Sequence, residues 1–224
     1  MKRLLLLSFL FLLSAVQAQE LKDFTIPNGY QKILEVKGDL DKDGKYETVI
    51  LFKTNKKVHS DFNNGYQHEF FILKNINGKQ KVWQKNSTVI FAGKTGFYPE
   101  YNPQPEFTIK NNCLIISQQF NTNSRHIQHY KDTFRFQNGD FYLIGSVSQF
   151  DDTCEFNILN EINFSTGKVI IDEQYYPCFE GDQPPAENFY KEFIQKNKTL
   201  IKMNTFTPGE NSIKIPNSDK YYNF

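Results

Sequence analysis

Two Asn-Gly pairs, each set between runs of strand-forming residues, restrict this chain more than any other feature. In Asn77-Gly78 and Asn138-Gly139 both positions tolerate the positive φ that a two-residue hairpin turn requires. Residues 68–73 and 80–83 flank the first pair. Around the second, Thr133-Phe134-Arg135-Phe136-Gln137 alternates with period two, and Asp140-Phe141-Tyr142-Leu143-Ile144-Gly145 returns along it. A third hairpin joins 161–164 to 168–172 through Ser165-Thr166-Gly167. Residues 113–117, opened by Asn111-Asn112, form another β run, and 31–36 and 47–52 flank an acidic loop as strand, loop, strand. The expected fold is mainly β, with antiparallel meander or hairpin sheets in a partial propeller-like or sandwich arrangement. Phe and Tyr dominate an aromatic content of 16%, which suits half-buried pleated surfaces.

One short C-terminal helix is expected over 186–196. Pro184-Pro185 precede it, Glu187 stands in its first turn, and Phe189, Phe193 and Ile194 fall at helical spacing. Residues 97–105 contain three prolines and read as an irregular loop. From 206 to 224 the chain is polar and turn-rich, a loosely held tail after a single β-rich domain over 19–205.

The amino terminus carries a different message. Met1-Lys2-Arg3 is basic, 4–13 is apolar apart from Ser8, and Val16-Gln17-Ala18 offers small residues to a signal peptidase. The apolar run is short of the roughly 20 residues that span a bilayer. Export with cleavage after Ala18 leaves 206 residues and places the protein in the periplasm or outside the cell. It leaves 24 basic residues against 25 acidic ones with no basic cluster, which argues against nucleic acid or an anionic membrane as partner. A terminal aromatic, Phe224, can close an outer-membrane barrel strand, but Lys220, Ser218 and Pro216 at alternate positions exclude a lipid-facing one.

An exported chain can hold disulfides, and Cys113, Cys154 and Cys178 leave one thiol over. Cys154 with Cys178 is the preferred pair; closing that loop contributes about 3 kcal/mol in the chain-entropy model.

Only one stretch has chemistry written into it. In Asp39-Leu40-Asp41-Lys42-Asp43-Gly44-Lys45-Tyr46-Glu47, carboxylates at positions 1, 3 and 5 can turn inward around a hard cation. Gly44 at position 6 allows the sharp turn, Lys45 at position 7 supplies a backbone carbonyl, and Glu47 at position 9 closes the shell directly or through water. Position 12 is Ile50 rather than a bidentate glutamate, and the flanks are strands, so this is not an EF-hand. Calcium in a structural role is the expected ligand, and magnesium suits the loop less well. The alternative is a solvated acidic turn in which Lys42 and Lys45 damp the repulsion.

The loop and its flanking strands resemble a single FG-GAP or VCBS-type repeat, the calcium-loop unit of integrin-like propellers. More broadly, Phe24-Thr25-Ile26-Pro27-Asn28-Gly29-Tyr30, residues 133–145 and Asn163-Phe164-Ser165-Thr166-Gly167-Lys168-Val169 resemble patches of a family of uncharacterised exported bacterial proteins. The similarity spans roughly 24–172 and departs at 121–130, where that family is tryptophan-rich and this chain has Arg125-His126-Ile127-Gln128-His129. The resemblance implies one calcium loop ahead of an antiparallel β domain and no particular activity. One acidic motif is too few for a full propeller, which repeats its blade at least about four times.

No catalytic set emerges. His126 and His129 would point to opposite faces of a strand, which disfavours zinc. His68-Glu69 reads as a strand-end pair, and Asp151-Asp152 as a turn before Cys154. The expected function is a non-catalytic, calcium-stabilised binding protein of the envelope or medium with a protein partner, one form being an inhibitor or immunity protein. The alternative is a carbohydrate-binding or surface module in which Trp83 and Tyr98 stack on sugar rings of an envelope polysaccharide. A hydrolase with a site that the sequence does not reveal is the remaining class.

Overall fold

The computed structural model describes residues 23–60, 64–195 and 199–224. The expected signal segment 1–18 and Lys196 at the end of the expected helix lie outside the described residues. Strands β1 (Gln31–Gly38), β2 (Glu47–Val58), β3 (Gly65–Ile76) and β4 (Lys79–Asn86) form a four-stranded antiparallel sheet in chain order. Strands β5 (Glu106–Lys110), β6 (Cys113–Asn121), β7 (His126–Gln137), β8 (Asp140–Asp152), β9 (Phe156–Asn163), β10 (Lys168–Tyr175) and β11 (Phe189–Ile194) form a seven-stranded antiparallel sheet, again in chain order. A small hairpin of β12 (Ser212–Lys214) and β13 (Tyr221–Asn223) follows. Among the described residues the only helical turns are two short 3-10 segments, Pro99–Tyr101 and Met203–Thr205. None of these is long and apolar enough to cross a membrane.

The turns explain the meander. Asn77 and Gly78 have φ of 55° and 80°, and Asn138 and Gly139 have 51° and 82°, so both turns match the right-handed twist of the strands they join. One face of each sheet contributes to a shared core, as in a sandwich. Val49, Leu51, Phe70 and Ile72 from the small sheet meet Phe107, Leu114, Phe134, Leu143, Val169 and Ile171 from the large one. Phe70 and Phe107 meet edge to face with centroids 5.3 Å apart. The outer face of the small sheet is also covered. Ile50, Phe52, Phe71 and Leu73 form a second cluster under Phe24 and Tyr30, so β2 and β3 are buried on both sides and read as continuous apolar runs rather than alternating ones.

Two expectations are corrected. Residues 189–194 are not helical but form the edge strand β11, paired with β10 from Glu173↔Phe189 to Lys168↔Ile194. Phe189 and Phe193 turn toward the core while Tyr190 and Ile194 stay exposed. The segment 206–224 is not a loose tail. Phe206, Ile213, Ile215, Tyr222 and Phe224 are all buried in the main core. Trp83 is a packing residue, its ring 4.5 Å from Phe136 and 5.0 Å from Phe141. Cys154 and Cys178 are joined by a disulfide and Cys113 is a buried free thiol.

Candidate metal loop

The β1–β2 connection is held to the body of the protein from three sides. Leu40, 1% exposed, inserts into the main core. Gly38 runs so close to β5 that a Cβ there would lie 2.4 Å from Ile109 Cγ2. Asn112, in the β5–β6 turn, donates its side-chain amide to the Asp39 carbonyl at 2.8 Å.

Within the loop, Asp39 organises the backbone. Its Oδ1 accepts the Lys42 N–H at 2.7 Å and its Oδ2 accepts the Gly44 N–H at 3.1 Å. Gly44 has φ of 80°, the left-handed turn expected at that position. Asp43 Oδ1 accepts the Lys45 N–H at 2.9 Å. Glu47 opens β2 with a side chain only 1% exposed, and its Oε2 accepts the Leu40 N–H at 2.8 Å. Carboxylate oxygens of Asp39, Asp41 and Asp43 come within 4.8 Å of one another.

A residue absent from the sequence reading completes the cluster. Lys74, near the end of β3, extends its ammonium into the loop, hydrogen bonds Asp41 Oδ2, lies 3.1 Å from Asp43 Oδ2 and 3.9 Å from Glu47 Oε1. The pairing Thr48↔Leu73 sets Lys74 beside the start of β2, a register that the sequence does not disclose. Burial opposes the Lys74 charge, but hydrogen bonds to Asp41 and Asp43 outweigh it and raise its pKa. The Lys45 N–H, with Lys74, holds the Asp43 carboxyl below its ordinary value. Burial, reinforced by the charges of Asp41 and Asp43, pushes the Glu47 carboxyl up despite the Leu40 hydrogen bond.

These residues fit a hard divalent cation. Every side-chain donor is a carboxylate oxygen, Asp41 Oδ1 is buried without a hydrogen-bond partner among the described residues, and Glu47 Oε1 is beyond hydrogen-bond reach of the ammonium.

The other candidates separate. His126 Nδ1 receives the Asn123 side-chain amide at 2.9 Å and its Nε2 lies 3.0 Å from Asp152 Oδ2, whereas His129 Nε2 lies 2.8 Å from Ser117 Oγ. The two histidines therefore share no ligand position. Asp151 and Asp152 are not in a turn but end β8, and they diverge. Asp151 accepts from Gln149 and Asn157, while Asp152 caps the Cys154 and Glu155 N–H groups and binds Arg125. His68 and Glu69 lie inside β3 rather than at its end, both buried, with Glu69 accepting the Tyr30 hydroxyl at 2.8 Å.

Sequence reasoning missed the Ser117–His129 pair because cross-strand neighbours are invisible without register. Ser117 lies on β6, which is paired on one edge with β5 and on the other with β7.

One surface feature stands out beyond the loop. Phe97, Tyr98 and Tyr101 are 43%, 49% and 78% exposed and cluster at the β4–β5 connection. The Phe97 and Tyr98 rings meet at 55° and those of Tyr98 and Tyr101 at 84°. The segment is pinned to β6, because the Phe97 N–H donates to the Asn121 carbonyl and Asn102 Oδ1 accepts the Asn121 N–H. No family model, curated protein or solved structure matches the chain.

Proposed function

We propose that this protein is an exported binding protein, periplasmic or secreted, whose β1–β2 loop takes a structural calcium ion and whose aromatic tip meets a protein partner. The observation that carries the reading is the convergence of the Asp39, Asp41 and Asp43 carboxylates beside the buried Glu47 on one loop, with Asp41 Oδ1 lacking a hydrogen-bond partner among the described residues. Bound calcium would supply charge neutralisation to that cluster, with the Lys45 carbonyl as an additional oxygen. The loop resembles an FG-GAP or VCBS-type unit in its spacing, and here it ties β1 to β2 rather than serving a reaction.

The tip favours a protein over a polysaccharide. Its rings are tilted, not coplanar, so they form a knob rather than a platform for sugar stacking. Tyr98 holds φ of 53°, a left-handed backbone that bulky residues seldom adopt, and the Asn121 contacts fix it in place. A preorganised aromatic knob of this kind suits a hot spot.

Thermal unfolding of the chain from residue 19, in chelator and then in calcium or magnesium, tests the loop. Calcium at a hundredfold its dissociation constant is expected to add about 2.7 kcal/mol, with magnesium adding less. Equal melting in chelator and calcium would sink the calcium reading. For the tip, a photo-crosslinker at Tyr101 is expected to capture one protein from envelope extract, and Tyr101→Ala to abolish its recovery while changing stability by less than about 0.5 kcal/mol. Recovery unaffected by Tyr101→Ala would count against the tip.

A further inference from the structure

The loop already contains a cation of its own. Lys74 is supplied by a different strand, its side chain is only 20% exposed, and its ammonium lies against Asp41, Asp43 and Glu47 together. Its Nζ also stands 5.0 Å from the centroid of Trp83, the sole tryptophan of the chain. Asp41 Oδ2, which a metal would need, is occupied by this ammonium.

We infer that Lys74 is a tethered competitor for the β1–β2 cation site, so that a divalent ion enters only by expelling the ammonium from the carboxylates and from the face of Trp83. This rests on the calcium reading of the loop and adds its regulation. The exchange makes the cluster more positive by one charge, as a singly charged ammonium leaves and a doubly charged ion enters, and no proton need be lost, because the displaced ammonium moves into water. Each state sets a positive charge against Asp41 and Asp43, so the loop need not unfold to change occupant. The apparent affinity for the ion is thereby lowered by the free energy of expelling the ammonium. Trp83, packed on Phe136 and Phe141, reports the change to the hairpin core of the large sheet.

The test uses calcium alone, with the chain from residue 19, followed by calorimetry and by Trp83 emission. Lys74→Met keeps the aliphatic stem and removes the charge. It is expected to tighten calcium binding roughly tenfold to a hundredfold, the scale of one charge-assisted hydrogen bond removed from competition. Calcium is expected to shift Trp83 emission in the original protein and to leave that of Lys74→Met unchanged. Because Lys74→Met leaves four carboxylates unopposed and can fail to fold without metal, the original protein is also labelled by reductive methylation. Lys74 is expected to be protected in chelator and to become reactive in calcium. Equal calcium affinity in both proteins, or Lys74 labelling indifferent to calcium that binds, overturns the competition and leaves the calcium reading standing. Absence of calcium binding in both overturns the reading and the inference with it.

Discussion

At the scale of single residues, the chain shows where strand parity was informative and where it was overlooked. Asp132 stands two positions before Phe134 and therefore shares its face, which is the core face of β7. It is fully buried. Ser146 on β8 donates to its Oδ1 at 2.7 Å, its Oδ2 has no hydrogen-bond partner among the described residues, and burial, with the Asp132 charge second to it, raises the pKa values of the Tyr130 and Tyr222 phenols. Burial pushes the Asp132 carboxyl up to about 7. An unfolded aspartate titrates near ~4, so between about pH 4 and 7 the folded protein keeps a proton that the unfolded chain has released. This residue's contribution to stability therefore falls as pH rises through that window and is level above it, a loss of roughly 4 kcal/mol at most. Asp132→Asn removes the charge and leaves an oxygen to accept from Ser146. Its melting temperature is expected to pull away above that of the parent from about pH 4 to 7 and to keep the gap thereafter. Parallel profiles across that range would show that water or a neighbour already relieves the carboxylate. Alternation in 133–137 was legible, and carrying it back one step to Asp132 would have marked a buried acid; its hydrogen-bond partner Ser146 on β8 and its neighbour Tyr222 on β13 lie too far along the chain to be read.

At the scale of elements, the legible parts are those whose causes are local. The hairpins at Asn77-Gly78 and Asn138-Gly139 are dictated by two residues that accept positive φ, and they stand where the sequence puts them. The acidic loop follows the same logic, with Gly44 at the turn and Leu40 between the aspartates as its anchor. The element 186–196 fails for the opposite reason. Phe189, Phe193 and Ile194 satisfy a helical spacing, but Phe189, Lys191 and Phe193 satisfy a period of two equally well. What decides between them is β10, whose free edge offers a ladder to any neighbouring segment, and Phe, Tyr and Ile make that segment a good strand. Proline before a segment permits a helix without requiring one.

At the scale of the whole molecule, the last nineteen residues matter most and were the least legible. Apolar positions in 206–224 are scattered among Pro208, Gly209, Pro216 and Asn217, and their strands are only three residues long, so no window shows a period. Nevertheless they complete the core. The Phe206 ring stacks near Phe224 at 6.3 Å and meets Phe134 at 5.9 Å, and Phe224 meets Phe164 at 5.3 Å. The backbone is fixed too, with the Phe224 N–H donating to the Asn211 carbonyl at 2.9 Å and the Asn211 N–H to the Phe224 carbonyl at 3.3 Å. The segment thus packs on the core side of the large sheet, against Phe134 of β7 and Phe164 after β9, with the Tyr222 hydroxyl donating to the Asn160 carbonyl of β9 at 3.3 Å. Removing it should expose that face, not trim an end. Phe224→Ala, at a side chain 3% exposed, is expected to cost about 3–5 kcal/mol, whereas Tyr221→Ala, 60% exposed beside it, should change stability by less than about 0.5 kcal/mol. Deletion of 206–224 is expected to abolish cooperative unfolding and to bind a hydrophobic dye, the signature of a compact chain without fixed packing. A deleted chain that melted as sharply and as high as the parent would mean that the two sheets close their core without it.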